Sequence, residues 1–217
     1  MFKADLHIHT EYSIDSSNKL EGVIERCLEL GINCIATCDH GTTEGAIKLR
    51  DIAPFMVIVA EEVLTPEGEI MGMFLKETIP SGISVDETIS RIREQNGLVC
   101  IPHPFDIFRP SALKSKALNK IADRIDMIEV FNARTLPYQN MSRPQNFAIK
   151  HNLPQSAGSD AHTLSEIGKA YVEMPEFDGR DDFIESLVQG KIYGSRTNPL
   201  IHFLSLGNRI RKKLGNR

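Results

Sequence analysis

Asp5-Leu6-His7-Ile8-His9-Thr10 decides how the chain is read. It closes an apolar run that starts at Phe2 and reads as a strand. Residues two apart on a strand point to one side, so His7 and His9 aim their imidazoles together, close enough to share a metal. Asp15 follows on the next loop. The same event recurs downstream. A second apolar run ends in Asp39-His40, a third carries Glu61-Glu62, and another ends in Pro102-His103-Pro104. A late one ends in Gly158-Ser159-Asp160-Ala161-His162. Of the 7 histidines in the chain, His7, His9, His40, His103 and His162 close successive strands, each in company with Asp or Glu. His151 and His202 fall outside this pattern and read as ordinary surface or helix residues.

Between these runs lie helical patterns. The spacing of Leu20, Val23, Ile24, Cys27 and Leu28 predicts a helix over 19–30, stopped by Gly31. Further helices are expected over 43–52, 111–124, 141–150, 181–188 and 200–214, with one more opened by Ser84 and Glu87 at capping-box spacing. Strands are expected over 2–8, 33–38, 55–64, 69–75, 98–101, 127–131, near 156 and over 170–174. The turn Thr65-Pro66-Glu67-Gly68 makes a hairpin of the third and fourth. Strands alternating with helices imply parallel pairing through right-handed crossovers. About seven staves and a hairpin result, slightly short of an eight-fold βα barrel, whose strand ends form the one rim where active sites sit.

Composition narrows the function classes. The 217 residues, 41% apolar and 25% charged, suit one globular domain able to bury a sizeable core. A formal charge of −4 is not the footprint of a nucleic-acid binder. No run of ~18 apolar residues predicts a membrane span. Lys3 comes too early for a signal peptide. Cys27, Cys34, Cys38 and Cys100 form no CxxC pair and read as small core thiols, which fits a reducing cytoplasm. The basic end, with Arg209, Arg211, Lys212, Lys213 and Arg217, reads as a solvated helix end.

The donor types set the metal class. Imidazoles and carboxylates without thiolate suit Zn, Mn or Fe. His7, His9, Asp15, His40, Glu62, His103, Asp160 and His162 are more donors than one ion takes. At least two divalent ions are therefore expected, joined by a bridging carboxylate. Such a pair, roughly 3.5–4 Å apart, holds both attacking and leaving oxygens of a displacement, which points to hydrolysis, above all of phosphate esters.

Asp5-Leu-His-Ile-His-Thr10, Thr37-Cys-Asp-His40, Glu61-Glu-Val63, Gly68-Glu-Ile70, Ile101-Pro-His-Pro104, Ile128-Glu-Val-Phe-Asn132 and Gly158-Ser-Asp-Ala-His162 together resemble the PHP family, named for polymerase and histidinol phosphatase domains. The resemblance implies a distorted (β/α)7 barrel with a β-hairpin elaboration. It implies a single domain over 1–217, with 195–217 a tail or helix packed on it. His7 and His9 would hold one ion with Glu62 and Asp160. Glu62 would bridge to a second ion held also by His103. Asp15, His40 and His162 would complete the cluster, His40 toward a third ion. Met71 stands where nucleotide-phosphatase relatives carry His, and Asn132 where histidinol-phosphatase relatives do. The implied activity is a phosphoesterase at a two- or three-metal site of Mn, Zn or Fe. It would hydrolyse a small phosphomonoester by a metal-bound hydroxide, with Asp15, Glu62 and Asp160 as catalytic carboxylates. A nuclease-type phosphodiesterase and a metal-binding module without catalysis are the alternatives. A C–N hydrolase is disfavoured, since no lysine suited to carbamylation ends a mid-chain strand. Arg134 is the first choice for the phosphate. Arg109 and Arg143, on neighbouring loops, read as surface residues. Asp39 and Glu129 are expected to orient imidazoles from behind.

Overall fold

Short apolar runs separated by amphipathic ones fold into alternating strands and helices. The computed structural model describes residues 1–136, 139, 142–198, 201, 207–208 and 211–212. Its strands are β1 (Phe2–Ile8), β2 (Cys34–His40), β3 (Met56–Thr65), β4 (Gly68–Met73), β5 (Leu98–Ile101), β6 (Met127–Asn132), β7 (Gln155–Gly158), β8 (Ala170–Met174) and β9 (Lys191–Gly194). The helices are α1 (Leu20–Leu30), α2 (Glu44–Ile52), α3 (Val85–Glu94), α4 (Ser115–Lys120), α5 (Ser142–His151) and α6 (Arg180–Val188). Gly31 ends α1 in the left-handed conformation, at φ 65°. Ser84 caps α3, its hydroxyl accepting from the Glu87 N–H at 3.2 Å.

Among the described residues the strands form one sheet in the order β7-β6-β5-β4-β3-β2-β1-β8-β9. β1, β2 and β3 pair in parallel, as do β5, β6 and β7. β4 runs antiparallel to both its neighbours. The sheet curls until the chain after β7 meets the end of β1. There Asp160 N–H donates to the His7 carbonyl at 2.7 Å, and His9 N–H to the Ala161 carbonyl at 3.0 Å. The result is a nearly closed barrel of β1 to β7, with β8 and β9 added antiparallel beside the start of β1. The return strand of the hairpin is therefore one of the seven staves and not an addition to them.

Side-chain size explains why the barrel closes tightly. Leu6, Ala36, Cys38, Ala60, Met71, Cys100, Met127 and Ala157 belong to one buried cluster, and five of these eight stave residues are Ala or Cys. The four cysteines are free and buried, as small fillers should be. Val59, Val63, Val99, Ile101, Ile128 and Val130 belong instead to a cluster with Ile89, Ile92, Leu118 and Phe147 of the helices. Each such side chain contributes about 1.5–3 kcal/mol on full burial.

Three expectations change. The helix over 111–124 shrinks to α4, because the segment before it bonds to the hairpin turn. Glu69 N–H donates to the Ser111 carbonyl at 2.7 Å and Lys114 N–H to the Glu67 carbonyl at 2.9 Å. Gly68 permits this approach. Its φ is +130°, and a Cβ there would lie 2.5 Å from the Leu113 Cα. Secondly, β9 is a strand that the sequence pattern does not predict, since Lys191-Ile-Tyr-Gly194 is short and half polar. Thirdly, the basic end is not merely solvated: the Lys212 ammonium donates to the carbonyls of Glu11, Ser13 and Ser16 at 2.6, 2.6 and 2.7 Å. Most of the helix expected over 200–214 lies outside the described residues, as do His202, Arg209, Lys213 and Arg217. Among the described residues no helix is long and apolar enough to cross a membrane.

Candidate metal centre

Parallel staves finish at one rim, and the eight candidate ligands meet there. Alternation along β1 and just past it turns His7 and His9 to the same side, fully buried, with their Nε2 atoms 3.2 Å apart. The β2–β3 register sets His40 opposite Glu62. Glu62 is the hub. Its Oε1 lies 2.9 Å from His103 Nε2. Its Oε2 lies 3.4 Å from His7 Nε2, 3.3 Å from His9 Nε2 and 3.5 Å from His40 Nδ1. Asp160 Oδ1 faces the same two imidazoles from the far side, at 3.6 Å from His7 and 3.4 Å from His9. Asp15 reaches in from its loop, 3.4 Å from His40 Nε2 and 3.3 Å from His162 Nε2. His103 and Asp160 hold left-handed backbone at φ 31° and 56°, strain of the kind that gathers at functional sites.

These neighbours shift one another's protonation. Burial alone would raise the Glu62 carboxyl, but His7 and His103 outweigh it and hold it well below the usual carboxylate range. Burial likewise opposes Arg109 and His7 at Asp160, which is also held well below that range. Burial would lower His9, yet Asp160 and Glu62 raise it to about 10. His40 rises to about 9 through Asp15 and Glu62, again against burial. His162 moves the other way, to about 4, through burial, His9 and Arg134.

The donor set fits divalent cations. Among the described residues, buried His9 Nδ1, Glu62 Oε2, Glu69 Oε2, His103 Nδ1 and Asp160 Oδ1 find no hydrogen-bond partner. An orphaned buried polar atom costs about 1–3 kcal/mol, so their concentration in one spot is unfavourable without a cation. Ligand atoms of His9, Asp15, His40 and His162 lie within 4.8 Å of one another, as do those of His7, Glu62 and His103. Cys38 stands within the same range of His7 and His9. However, burial pushes its thiol up to about 12, and it donates to the Ile8 carbonyl at 3.5 Å. The working donors are therefore imidazole and carboxylate.

Behind them, Glu129 performs the orienting task expected of it. Its Oε1 lies 3.0 Å from His7 Nδ1, and its Oε2 accepts from His103 N–H at 2.6 Å and Asn132 Nδ2 at 3.0 Å. With the carboxylate accepting, His7 Nδ1 carries a proton, and Nε2 is the nitrogen that faces Glu62 and Asp160. Asp39 departs from expectation. It accepts from Thr10 N–H and Oγ1, both at 2.6 Å, so it pins the chain after His9 and no imidazole.

The arginines rearrange the sequence reading. Arg109, read as a surface residue, places Nη2 2.6 Å from Asp160 Oδ2. Arg134 is 5% exposed, with Nη1 2.6 Å from His162 Nδ1 and Nε 3.2 Å from Glu166 Oε1. Arg143 lies over the Phe105 ring, 4.7 Å from its centroid, away from the cluster. Glu69, not singled out in the sequence, also points into the site, 3.5 Å from both His40 and His103.

A consequence can be measured. At neutral pH the metal-free centre carries protons on His9 and His40, and a metal must displace any on the nitrogens it takes. Metal binding should release protons, and apparent affinity should fall as pH drops. Calorimetric titration with Mn in buffers of different ionisation enthalpy checks this. Identical heats in all buffers near pH 7 would contradict the protonated imidazoles.

The family model described as PHP domain matches residues 5–57, and that described as PHP-associated matches residues 142–192. Uncharacterized protein MJ0417 of Methanocaldococcus jannaschii is 34% identical over 180 residues, covering 80% of this chain and 71% of that one. Among solved structures, a Bacteroides vulgatus two-domain protein containing a predicted PHP-like metal-dependent phosphoesterase superposes with TM-score 0.73 at 16% identity. The match covers 89% of this chain and 65% of that longer one. An amidohydrolase from Chromobacterium violaceum, solved with bound sulfate, gives TM-score 0.60 at 15% identity, covering 94% of this chain and 96% of its own. At these identities the structural likeness speaks for the fold.

Proposed function

The chain belongs to the PHP family, and from that premise we propose that it is a metal-dependent phosphoesterase acting on a small phosphomonoester. The observation that carries the reading is the convergence of five imidazoles and the carboxylates of Asp15, Glu62 and Asp160 on one rim, centred on Glu62. His7, His9, Glu62 and Asp160 would hold one ion, Glu62 and His103 a second, and Asp15, His40 and His162 a third. Two or three divalent ions, Mn, Zn or Fe, would polarise the phosphoryl oxygens and activate a water near neutral pH. Glu129 keeps the His7 proton on Nδ1, and Asn132 steadies both Glu129 and Asp160, its Nδ2 donating to each at 3.0 and 3.2 Å.

The phosphate needs a cation on the side away from the ions. Arg109 stands over Asp160 and is partly exposed, so its fork can turn to a bound phosphate. Arg134, the choice from sequence, borders the site through His162 and Glu166. Arg109→Ala should weaken kcat/KM for a phosphomonoester about ten- to a hundred-fold, the size of one charge-assisted contact. It should leave the metal content unchanged. Arg134→Ala should instead loosen metal at His162. Steady-state kinetics with metal counting on both variants checks this, and the reverse pattern would return the phosphate to Arg134.

The function itself is tested by supplying Mn, Zn, Fe or Co to purified protein with a panel of phosphomonoesters, phosphodiesters and amides. Turnover of monoesters supports the reading. Turnover restricted to diesters favours a nuclease-type enzyme. Turnover of amides alone favours the chemistry of the amidohydrolase that shares the fold.

A further inference from the structure

β4 runs against the other staves, so its first residues, and not its last, lie at the rim that carries the ligands. Along the hairpin, Glu62 pairs with Met71 and Leu64 with Glu69. Residues two apart on a strand share a face, so Glu69 lies on the Glu62 and Met71 side, one step nearer the rim. Met71 is 1% exposed and belongs to the buried cluster of small barrel residues, without a donor to offer. Glu69 does have one. It is 4% exposed, with Oε1 3.5 Å from His40 Nδ1 and Oε2 3.5 Å from His103 Nε2. Its Oε2 is buried and finds no hydrogen-bond partner among the described residues, as is true of Glu62 Oε2. One ligand atom each from His40, Glu62 and Glu69 lie within 4.8 Å of one another. The Glu69 backbone is held on both sides, by pairing with β3 and by its N–H to the Ser111 carbonyl. The carboxylate is thus pre-set, and among the described residues its buried Oε2 has no hydrogen-bond donor.

We propose that Glu69 is a metal ligand of this chain, closing with Glu62 and His40 an oxygen-rich locus bordered by His103. The inference rests on the reading of the centre as a divalent-metal site. Glu69 supplies from two residues upstream, on the same face, the donor that Met71 lacks. His40 stands between two loci, its Nε2 toward Asp15 and its Nδ1 toward Glu62 and Glu69. The donor sets differ in kind. His9, Asp15, His40 and His162 offer three imidazoles and one carboxylate, whereas the Glu69 locus offers two carboxylates and one imidazole. Carboxylates suit Mn and Mg, and imidazoles suit Zn. The Glu69 locus therefore favours Mn over Zn relative to its neighbours.

Glu69→Gln keeps the shape of the side chain and removes its charge. The full-length protein and the variant are dialysed to equilibrium against graded Mn or Zn, and bound metal is counted by mass spectrometry, with folding followed by circular dichroism. The expected result is one equivalent of Mn fewer in Glu69→Gln, or its last Mn held at least tenfold more weakly, with tightly bound Zn unchanged. Glu69→Asp, which keeps the charge on a shorter arm, should weaken that Mn less than Gln does. It also carries the test if Glu69→Gln fails to fold. Equal Mn stoichiometry and affinity in wild type and a folded variant overturns the proposal. Loss of Zn and Mn alike at every position overturns it too, because that marks a structural role. Loss of the single Mn with no phosphoester turnover in any state leaves Glu69 a ligand and removes only the phosphoesterase reading.

Discussion

Glu62→Gln should lower kcat on a phosphomonoester by at least about a thousand-fold, which corresponds to ~4 kcal/mol of lost transition-state stabilisation. No other carboxylate in the described centre faces four imidazoles. Its two oxygens lie between 2.9 and 3.5 Å from His103, His7, His9 and His40. Gln has the same shape and keeps one acceptor oxygen, but the charge that would hold two cations together is gone. The fold should persist, since the clusters that pack the barrel do not use this carboxylate. Stability should nevertheless drop, because buried imidazoles lose their counter-charge. Steady-state kinetics beside a circular dichroism melt separates the two effects. Near-normal turnover in a folded variant would sink a mechanism built around Glu62.

How much of this centre the sequence disclosed depends on strand direction. His7, His9, His40, His103, Asp160 and His162 follow or finish parallel staves, and a parallel stave ends at the same rim each time. Strand prediction alone therefore collects them. Glu62 lies inside β3 and not at its end, and only the Glu61-Glu62 pair and the family resemblance mark it in the sequence. Glu69 escaped because β4 is reversed: its rim residues come first, directly after a turn, where a glutamate looks solvated. A signal was nonetheless present in Gly68-Glu-Ile70, which the resemblance includes. Arg109 escaped for another reason. It lies six positions after His103, and nothing local tells a loop to fold back over Asp160. The missing half of the helix over 111–124 is a tertiary effect too. The hairpin turn takes the Ser111 carbonyl and the Lys114 N–H, partners that helix propensity ignores.

Removing metal should lower the melting temperature by on the order of 10 °C, and adding Mn or Zn should restore it. Each ion that binds the folded state alone contributes about 2.7 kcal/mol at a hundred times its Kd. Two ions contribute roughly 5 kcal/mol, and a chain of this length moves by about 2–4 °C per kcal/mol. The metal-free protein partly compensates by protonating His9 and His40, whose raised pKa values of about 10 and 9 let protons neutralise Glu62, Glu69 and Asp160. That compensation has a definite sign. A histidine raised in the folded state stabilises it fully below its unfolded pKa of ~6.5, and the benefit is lost as pH rises through the folded value. The metal-free protein should therefore lose stability between about pH 7 and 10, while the loaded protein, whose cations replace those protons, does not. The gap between the two melting temperatures should widen with pH across that window. Differential scanning fluorimetry of stripped and reloaded protein at several pH values reads it directly. A melting curve unmoved by verified metal removal would deny a buried metal cluster. A gap that narrows as pH rises would deny that protons and metals compete for the same imidazoles.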